Sequence, residues 1–328
     1  MTPDRSPRDE THVDPELGRD AEHPSEIPAR GWRQILKRTF HQIKEDRIQM
    51  VAAALAYYAL LAAFPLLIAL ISIYGLMADP AQVEQQLDQM ARNLPPEASS
   101  LISSQLSSIV QSSTGALGWA AALSILGALW STSSGVQQLI RAINIAYDEE
   151  ETRGFVRLRG LALALTVGLI LFLVVALGLI VAVPPILSSL ELPAPARWAI
   201  DIARFVLLAA VFMVFLAAVY RFAPDRDQPR MRWVSWGAVV ATVVWLAASV
   251  LFTLFVTQFA DFQKTYGTLA GLIILLLWFF LTGFVVLGGA ELDSEIEHQT
   301  ARDTTRGEPE PMGRRGAMKA DTLPEPDA

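Results

Sequence analysis

Residues 50–78 read MVAAALAYYALLAAFPLLIALISIYGLMA, an apolar run without a single charged side chain. An α-helix needs about 20 mainly apolar residues to cross the hydrocarbon core of a bilayer. The run therefore predicts a membrane-spanning helix. Pro65 lies near its middle and removes one backbone hydrogen bond, so we expect the helix to kink there.

Five more apolar runs follow the first one, at about 115–147, 160–183, 196–222, 233–258 and 267–290. Together the six runs predict an all-α fold, a polytopic bundle of six transmembrane helices within a membrane domain at 31–298. The flanking tails, 1–30 and 299–328, are rich in charged residues, proline and glycine. We expect both tails to be disordered, because they cannot bury enough apolar surface to offset the entropy of ordering.

Two amphipathic segments lie outside these runs. In residues 31–47, Trp32, Leu36, Phe40 and Ile43 fall on one helical face and basic residues surround it. This pattern is typical of a helix in the membrane interface, and equally of a helix packed on other loops. Between the first and second spans, residues 81–113 predict an amphipathic helical pair outside the membrane, hinged at Pro95.

The distribution of Lys and Arg predicts the orientation. Residues 30–47 contain six, the loop 148–159 three and the loop 221–232 four, whereas each connection on the other side contains one. Positive charge marks the cytoplasmic loops of membrane proteins. The alternation predicts that both termini are cytoplasmic. Residues 1–30 lack the apolar core of a signal peptide, so the first span is expected to direct insertion.

Composition limits the possible functions. Only 18% of the residues are charged, against about a quarter in soluble domains, and 52% are hydrophobic. The absence of cysteine excludes thiolate chemistry, and the four histidines lie in tails or at a membrane edge. Because nucleotide-binding, hydrolase and metalloprotease motifs are also missing, we expect no enzyme and no cofactor. The expected partners are the lipid bilayer and an unidentified small solute or lipid, without nucleic acid; homo-oligomerisation stays open.

A polar stripe marks the second predicted span. Its members are spaced three, four, three and four residues apart: Ser134, Gln137, Arg141, Asn144 and Asp148. Such a stripe must face protein or water. It either lines a cavity with an anion-binding Arg141, or Arg141 simply reaches the aqueous edge.

Glu291 follows the sixth apolar run at a similar depth to the lower stripe. It is a candidate partner for Arg141 across the same cavity, or merely marks a helix end. Asp293, Glu295 and Glu297 follow it and are interpreted as a solvated face.

Three passages carry a family resemblance: AAALAYYALLAAFPLLIALISIYG (52–75), LWSTSSGVQQLIRAINIAYDEEETRGF (129–155) and YGTLAGLIILLLWFFLTGFVVLGGAELDSEIE (266–297). Together they resemble the YihY/virulence factor BrkB family of bacterial membrane proteins. The resemblance implies a six-helix inner-membrane protein of the kind proposed to act as transporters, some of which carry the old label ribonuclease BN. Ser134 stands where we would expect a basic residue in that family.

Three functions remain to be compared. The first is a permease or lipid-handling protein with a cavity lined by the first, second and sixth spans. The second is an envelope scaffold or regulator that transports nothing. The third, a membrane-bound hydrolase or nuclease, is disfavoured because the chain offers neither a basic groove nor a cluster of metal ligands for an activated water.

Overall fold

The computed structural model describes residues 15–77, 116–184, 187, 193–258 and 269–324. Seven long helices and one short one occupy most of these residues: α1 Ala29–Glu45, α2 Ile48–Met77, α3 Ala116–Ala146, α4 Phe155–Leu177, α5 Ala194–Phe222, α6 Met231–Gln258, α7 Leu269–His298 and α8 Met318–Asp321. Two 3₁₀ turns, Pro15–Leu17 and Pro24–Glu26, precede α1, and a π-helical segment, Gly178–Ala182, continues α4. In these ranges the only β feature is an isolated bridge between Pro229 and Thr305. The all-α prediction is confirmed for the described chain.

Five helices are long and apolar enough to cross a membrane. They are α2 over Ile48–Leu67, α4 with its π segment over Phe155–Ile180, α5 over Pro195–Phe222, α6 over Trp236–Thr257 and α7 over Leu269–His298. The count of six spans stays a prediction, because α3 is not among the five. The amphipathic pair predicted at 81–113 lies outside the described residues.

The helices pack as a bundle around α7, which contacts α1, α2, α3 and α6. Most of the exposed surface of α4, α5 and α6 is apolar: Phe205 is 59% exposed, Val243 61% and Leu251 66%. Large apolar side chains facing outward on several helices are what a lipid environment stabilises. Helix α2 continues through Pro65 without ending, and the kink there stays a prediction.

Small residues allow a close helix contact where α6 crosses α7. A Cβ atom added to Gly237 would collide with the backbone oxygen of Gly289 and the carboxyl of Asp293. A Cβ added to Gly289 would meet the hydroxyl of Tyr220 on α5. Glycines thus allow the backbones to approach, as in many membrane helix pairs.

Helix α1 packs on α7. Its buried face consists of Gly31, Ile35, Arg38 and Thr39. The apolar residues used to predict it are divided: the Trp32 ring lies 5.7 Å from that of Trp236, whereas Leu36 and Phe40 are 47% and 66% exposed. Helix α1 therefore covers α7 with one face and leaves two large apolar side chains uncovered.

The described parts of both tails differ from the expectation of disorder. Residues 15–28 and 299–324 lie against the helix ends and bind each other through polar groups. Thr300 Oγ1 donates to Ala21 O at 2.7 Å, and the Gln299 amide donates to Leu17 O at 2.8 Å. Arg315 donates to the carbonyls of Ala301 and Ala320. The compositional argument considered apolar burial alone, and these segments are held largely by satisfied hydrogen bonds instead.

Candidate functional site

The last two turns of α7 carry four buried carboxyl groups. Glu291, Asp293, Glu295 and Glu297 are each at most 2% exposed, so interpreting the last three as a solvated face was wrong. Helix α7 extends to His298, well past the predicted end at residue 290, because both tails and α1 cover it. Spacing of four residues divides the group into two faces, Asp293 with Glu297 and Glu291 with Glu295. We call this covered region, with α1 and the ends of the other helices, the polar end of the bundle.

On the face of Asp293 and Glu297, positive charge compensates Glu297 and a backbone amide satisfies one oxygen of Asp293, whose Oδ2 has no described partner. Arg226, in the connection between α5 and α6, donates to Glu297 and pairs with it at 2.7 Å. Thr304 also donates to Glu297, and the amide of Gly237 donates to Asp293 Oδ1 at 2.6 Å. Burial would lower the pKa of Arg226, but the adjacent Glu297 carboxylate raises it above its ordinary value. This face holds the α5–α6 connection and the tail after α7 in place.

Glu295 on the other face is compensated as well. Its carboxylate accepts hydrogen bonds from Arg38 Nε of α1 at 2.6 Å and from Lys319 Nζ of α8 at 2.7 Å. Lys319 reaches Asp148 Oδ2 at 2.8 Å with the same ammonium group. The two carboxylates raise the pKa of Lys319, although its burial alone would lower it. Lys319 therefore connects the C-terminal tail to both α7 and the end of α3.

Glu291 is the exception. It is 0% exposed, and neither of its oxygens receives a hydrogen bond from a donor in the described chain. Another carboxyl group lies close to it, that of Asp46 in the turn between α1 and α2, whose Oδ2 also lacks a donor. Burial raises the pKa of the Asp46 carboxyl, Asp148 raises it further, and Lys319 lowers it. An ionised carboxylate has no hydrogen to donate and acts only as an acceptor. Two carboxyl groups can therefore share a hydrogen bond only if one of them carries a proton.

The stripe predicted on α3 is divided between two neighbourhoods. Ser134 is exposed and accepts a hydrogen bond from Arg159 of α4 at 3.1 Å, while the Arg159 guanidinium lies 3.8 Å from the Trp130 ring centre. At the lower end, Asn144 is buried: its amide donates to Glu151 at 2.9 Å, and its carbonyl accepts from the Asp225 amide at 2.8 Å.

The remaining candidates separate in the same way. Gln137 is half-buried, and Arg141 is exposed. Asp148 is exposed but pairs with Lys319, and together with Lys319 it faces the carboxyls of Asp46 and Glu291. Of the six sequence candidates, the structure brings Asp148 and Glu291 into one neighbourhood. It does not bring Arg141 to Glu291, whose oxygens have no described donor.

Residues missed by the sequence analysis complete the site: Asp46, Lys319, Arg38 and Arg226. Asp46 occupies a two-residue turn between helices, and Lys319 lies in a tail that composition suggests is disordered. The sequence around Asp46 or Lys319 does not indicate a role for either residue, because each approaches its partner on α7 only in the folded protein. Among the described residues, no three His, Cys, Asp or Glu side chains are arranged to hold a metal ion.

One cavity lies at the site and another among the membrane-spanning helices, and neither is lined by the α3 stripe. The larger, of about 710 Å³, lies at the polar end between α1, the end of α7 and the C-terminal tail. The smaller, of about 420 Å³, lies among α4, α5, α6 and α7, with an aromatic lining that includes Phe172, Trp245 and Trp278. The cavity predicted between the first, second and sixth spans stays a prediction.

Residues 39–313 match the family described as Virulence factor BrkB. The ribonuclease-like protein YfkH of Bacillus subtilis is 32% identical over 270 residues, which cover 79% of this chain and 94% of that protein. A UPF0761 membrane protein of Haemophilus influenzae is 24% identical over 263 residues, covering 78% of this chain and 92% of that protein. A UPF0761 membrane protein of Vibrio parahaemolyticus is 26% identical over 273 residues, covering 82% of each. No solved structure matches.

Proposed function

The chain belongs to the virulence factor BrkB family of membrane proteins, as the sequence resemblance predicted, and from that premise we propose that it is a permease. Its conformational cycle is coupled to a proton held between Asp46 and Glu291, which we call the carboxyl pair. The single observation that carries this proposal is the burial of Glu291 without any donor among the described residues.

A buried carboxyl group without donors does not help a scaffold to fold. Leaving a buried polar group unsatisfied costs roughly 1–3 kcal/mol, and more when the group is charged. Ionisable groups within membrane helices that persist despite such a cost are typical of proton relays and of ion or substrate pathways. The neighbouring Glu295 and Glu297 are each paired with an arginine. A buried carboxylate at this end of α7 can therefore have a cationic partner in this fold, and Glu291 has none among the described residues.

Loss of the proton favours a conformational change. With one proton, the carboxyl pair has a single negative charge and an internal hydrogen bond. Without it, two carboxylates repel each other, and the ammonium of Lys319 is already shared by Asp148 and Glu295. Separation of the α1–α2 turn from α7 relieves the repulsion by admitting water. The proton therefore favours the closed polar end, and its loss favours an open one.

The smaller cavity supports an amphiphile or a lipid chain as the substrate. It lies within membrane-spanning segments of four helices, and apolar and aromatic side chains form most of its wall. Its two hydroxyl groups, on Ser249 and Thr253, donate to the backbone of α6. A cavity with this lining suits an apolar chain better than a hydrated ion.

Site-specific labels test the coupling. The chain contains no cysteine, so Glu45→Cys and Arg302→Cys introduce unique spin-label sites on α1 and after α7, both on exposed residues. In nanodiscs we expect the distance between the labels to increase as the pH rises. Glu291→Gln should abolish the change, and Glu308→Gln, at an exposed carboxylate, should leave it intact. A normal response in Glu291→Gln would overturn the proton coupling, and a fixed distance in all proteins would favour the scaffold.

A flux assay tests the substrate class. Proteoliposomes with a fluorescent phospholipid should move it between leaflets faster than empty liposomes. Ala209→Trp fills the smaller cavity and should reduce the rate. Val243→Trp places the same ring on the exposed face of α6 and is the matched control. Equal rates for empty liposomes and all three proteins would contradict lipid transport.

A further inference from the structure

The larger cavity has an excess of positive charge in its wall. Four cationic side chains line it, Lys37, Arg38, Lys44 and Lys319, against one carboxylate, Glu295. Glu295 is neutralised within the wall, because Arg38 and Lys319 both donate to it. Lys37 and Lys44 are exposed on α1 and form no ion pair with a described residue. The cavity therefore offers two free ammonium groups, those of Lys37 and Lys44. The other two cations in its wall, Arg38 and Lys319, are buried.

An exposed apolar side chain stands in the wall of the same cavity. Phe40 lies between the two lysines along α1 and is 66% exposed. Leu36, one helical turn before it, is 47% exposed. An amphipathic helix that pairs lysines with uncovered aromatic and aliphatic side chains is suited to the boundary between lipid headgroups and acyl chains.

The position along the chain matches that boundary. A turn at Asp46 and Arg47 joins α1 to α2, and the apolar span begins at Ile48. The cavity thus lies beside the entry of a membrane-spanning helix, where headgroups are found. Its volume of about 710 Å³ lies within the range of small-ligand sites.

We propose that this cavity binds the phosphate-bearing headgroup of an anionic membrane lipid, with Lys37 and Lys44 contacting the phosphate and Phe40 contacting the start of the acyl chain. Basic pockets at the ends of membrane helices recognise anionic headgroups in this way. The binding does not depend on the proposed permease activity or on the proton of the carboxyl pair. The binding selects anionic lipids at the polar end of the bundle.

Native mass spectrometry of the detergent-solubilised protein measures the binding directly, with phosphatidylglycerol and phosphatidylcholine as the two probes. Wild type should retain phosphatidylglycerol and release phosphatidylcholine. The double variant Lys37→Gln/Lys44→Gln should bind phosphatidylglycerol about 30-fold more weakly, if each lysine contributes the usual amount for a basic residue at a membrane surface. Arg306→Gln/Arg314→Gln removes the same charge from exposed positions in the tail and should bind like wild type.

Two further measurements distinguish binding of a lipid from binding of a free inorganic anion. Phe40→Ser should weaken phosphatidylglycerol binding, because it removes the acyl contact and keeps the lysines. Inorganic phosphate should not displace the lipid from wild type. Equal retention of both lipids, an equal loss in the tail control, or displacement by inorganic phosphate would each overturn the proposal. Because both lysines are exposed, normal thermal stability of the double variant shows that a lost signal reflects binding.

Discussion

Glu297 and Glu291 occupy the same helix, less than two turns apart, and both are buried, yet their surroundings differ in kind. Glu297 is paired with Arg226 and receives a hydrogen bond from Thr304. Glu291 faces Asp46 and has no described donor. Burial alone therefore does not distinguish a structural carboxylate from a functional one. The difference lies in the partners, and we expect the region of Glu297 to control stability and the region of Glu291 to control function.

The largest effect on stability is expected from Arg226→Ala. The substitution leaves Glu297 buried without its countercharge, and breaking a buried pair by removing one partner costs about 3–5 kcal/mol. Chemical unfolding in detergent measures the loss. Arg306→Ala, at an exposed arginine in the tail, is the control and should change stability by less than about 0.5 kcal/mol. An effect of Arg226→Ala as small as the control would remove the distinction between the two carboxylates.

Lys319→Met should have the next largest effect, about 1.5–3 kcal/mol, because charge-assisted hydrogen bonds to Asp148 and Glu295 are lost. The pKa of Lys319 is raised in the folded protein. Its contribution is therefore fully present below the ordinary lysine pKa of about 10.4 and disappears as the pH rises through the folded value. Melting curves of the two proteins should differ at neutral pH and converge at strongly alkaline pH. A constant difference across that range would show that the ammonium charge is not what holds the tail.

Gly237→Ala should destabilise by about 1–3 kcal/mol, since the new Cβ forces α6 away from Gly289 and Asp293. Gly168→Ala is the matched control inside α4, where an added Cβ meets nothing within 4 Å. There the better helix propensity of alanine should stabilise by about 0.5–1 kcal/mol. The two substitutions should thus change the melting temperature in opposite directions. A shift in the same direction for both would contradict the close contact of α6 and α7.

Glu291→Gln should have the smallest effect on stability, within about 0.5 kcal/mol of zero or slightly favourable. Glutamine resembles a protonated glutamate and can donate to Asp46 without a bound proton. Glu297→Gln, in contrast, leaves Arg226 without a carboxylate and should destabilise. Thermal unfolding of both variants side by side sharpens the comparison. If Glu291→Gln destabilised as much as Glu297→Gln, then Glu291 would be a structural group.

Much of the fold is readable from the sequence, because each predicted span depends on its own residues. The apolar runs at 50–78, 160–183, 196–222, 233–258 and 267–290 each coincide with a long helix. The end of α7 was misplaced, since a run of Asp and Glu signals water unless distant segments cover it. Cover comes from α1 and the N-terminal tail, which are far from α7 along the chain, and from the C-terminal tail, which folds back onto α7.

The site was predictable only in part, for the same reason. Glu291 stands out locally as a carboxylate at the end of an apolar run. Its neighbours Asp46 and Lys319 belong to a turn and a tail, and nothing nearby in the sequence indicates that they meet it. The expected Arg141 pairing assumed that equal depth implies contact, whereas Arg141 is exposed and Glu291 is not.

The central claim is that the carboxyl pair holds a proton when the polar end is closed. Infrared spectroscopy of the protein in nanodiscs at neutral pH tests it directly, through the carbonyl stretching band of protonated carboxylic acids. We predict such a band in wild type, a shift of the band in heavy water, and a clear decrease of the band in Glu291→Gln. A band that is absent from wild type, or unchanged in Glu291→Gln, would contradict the claim.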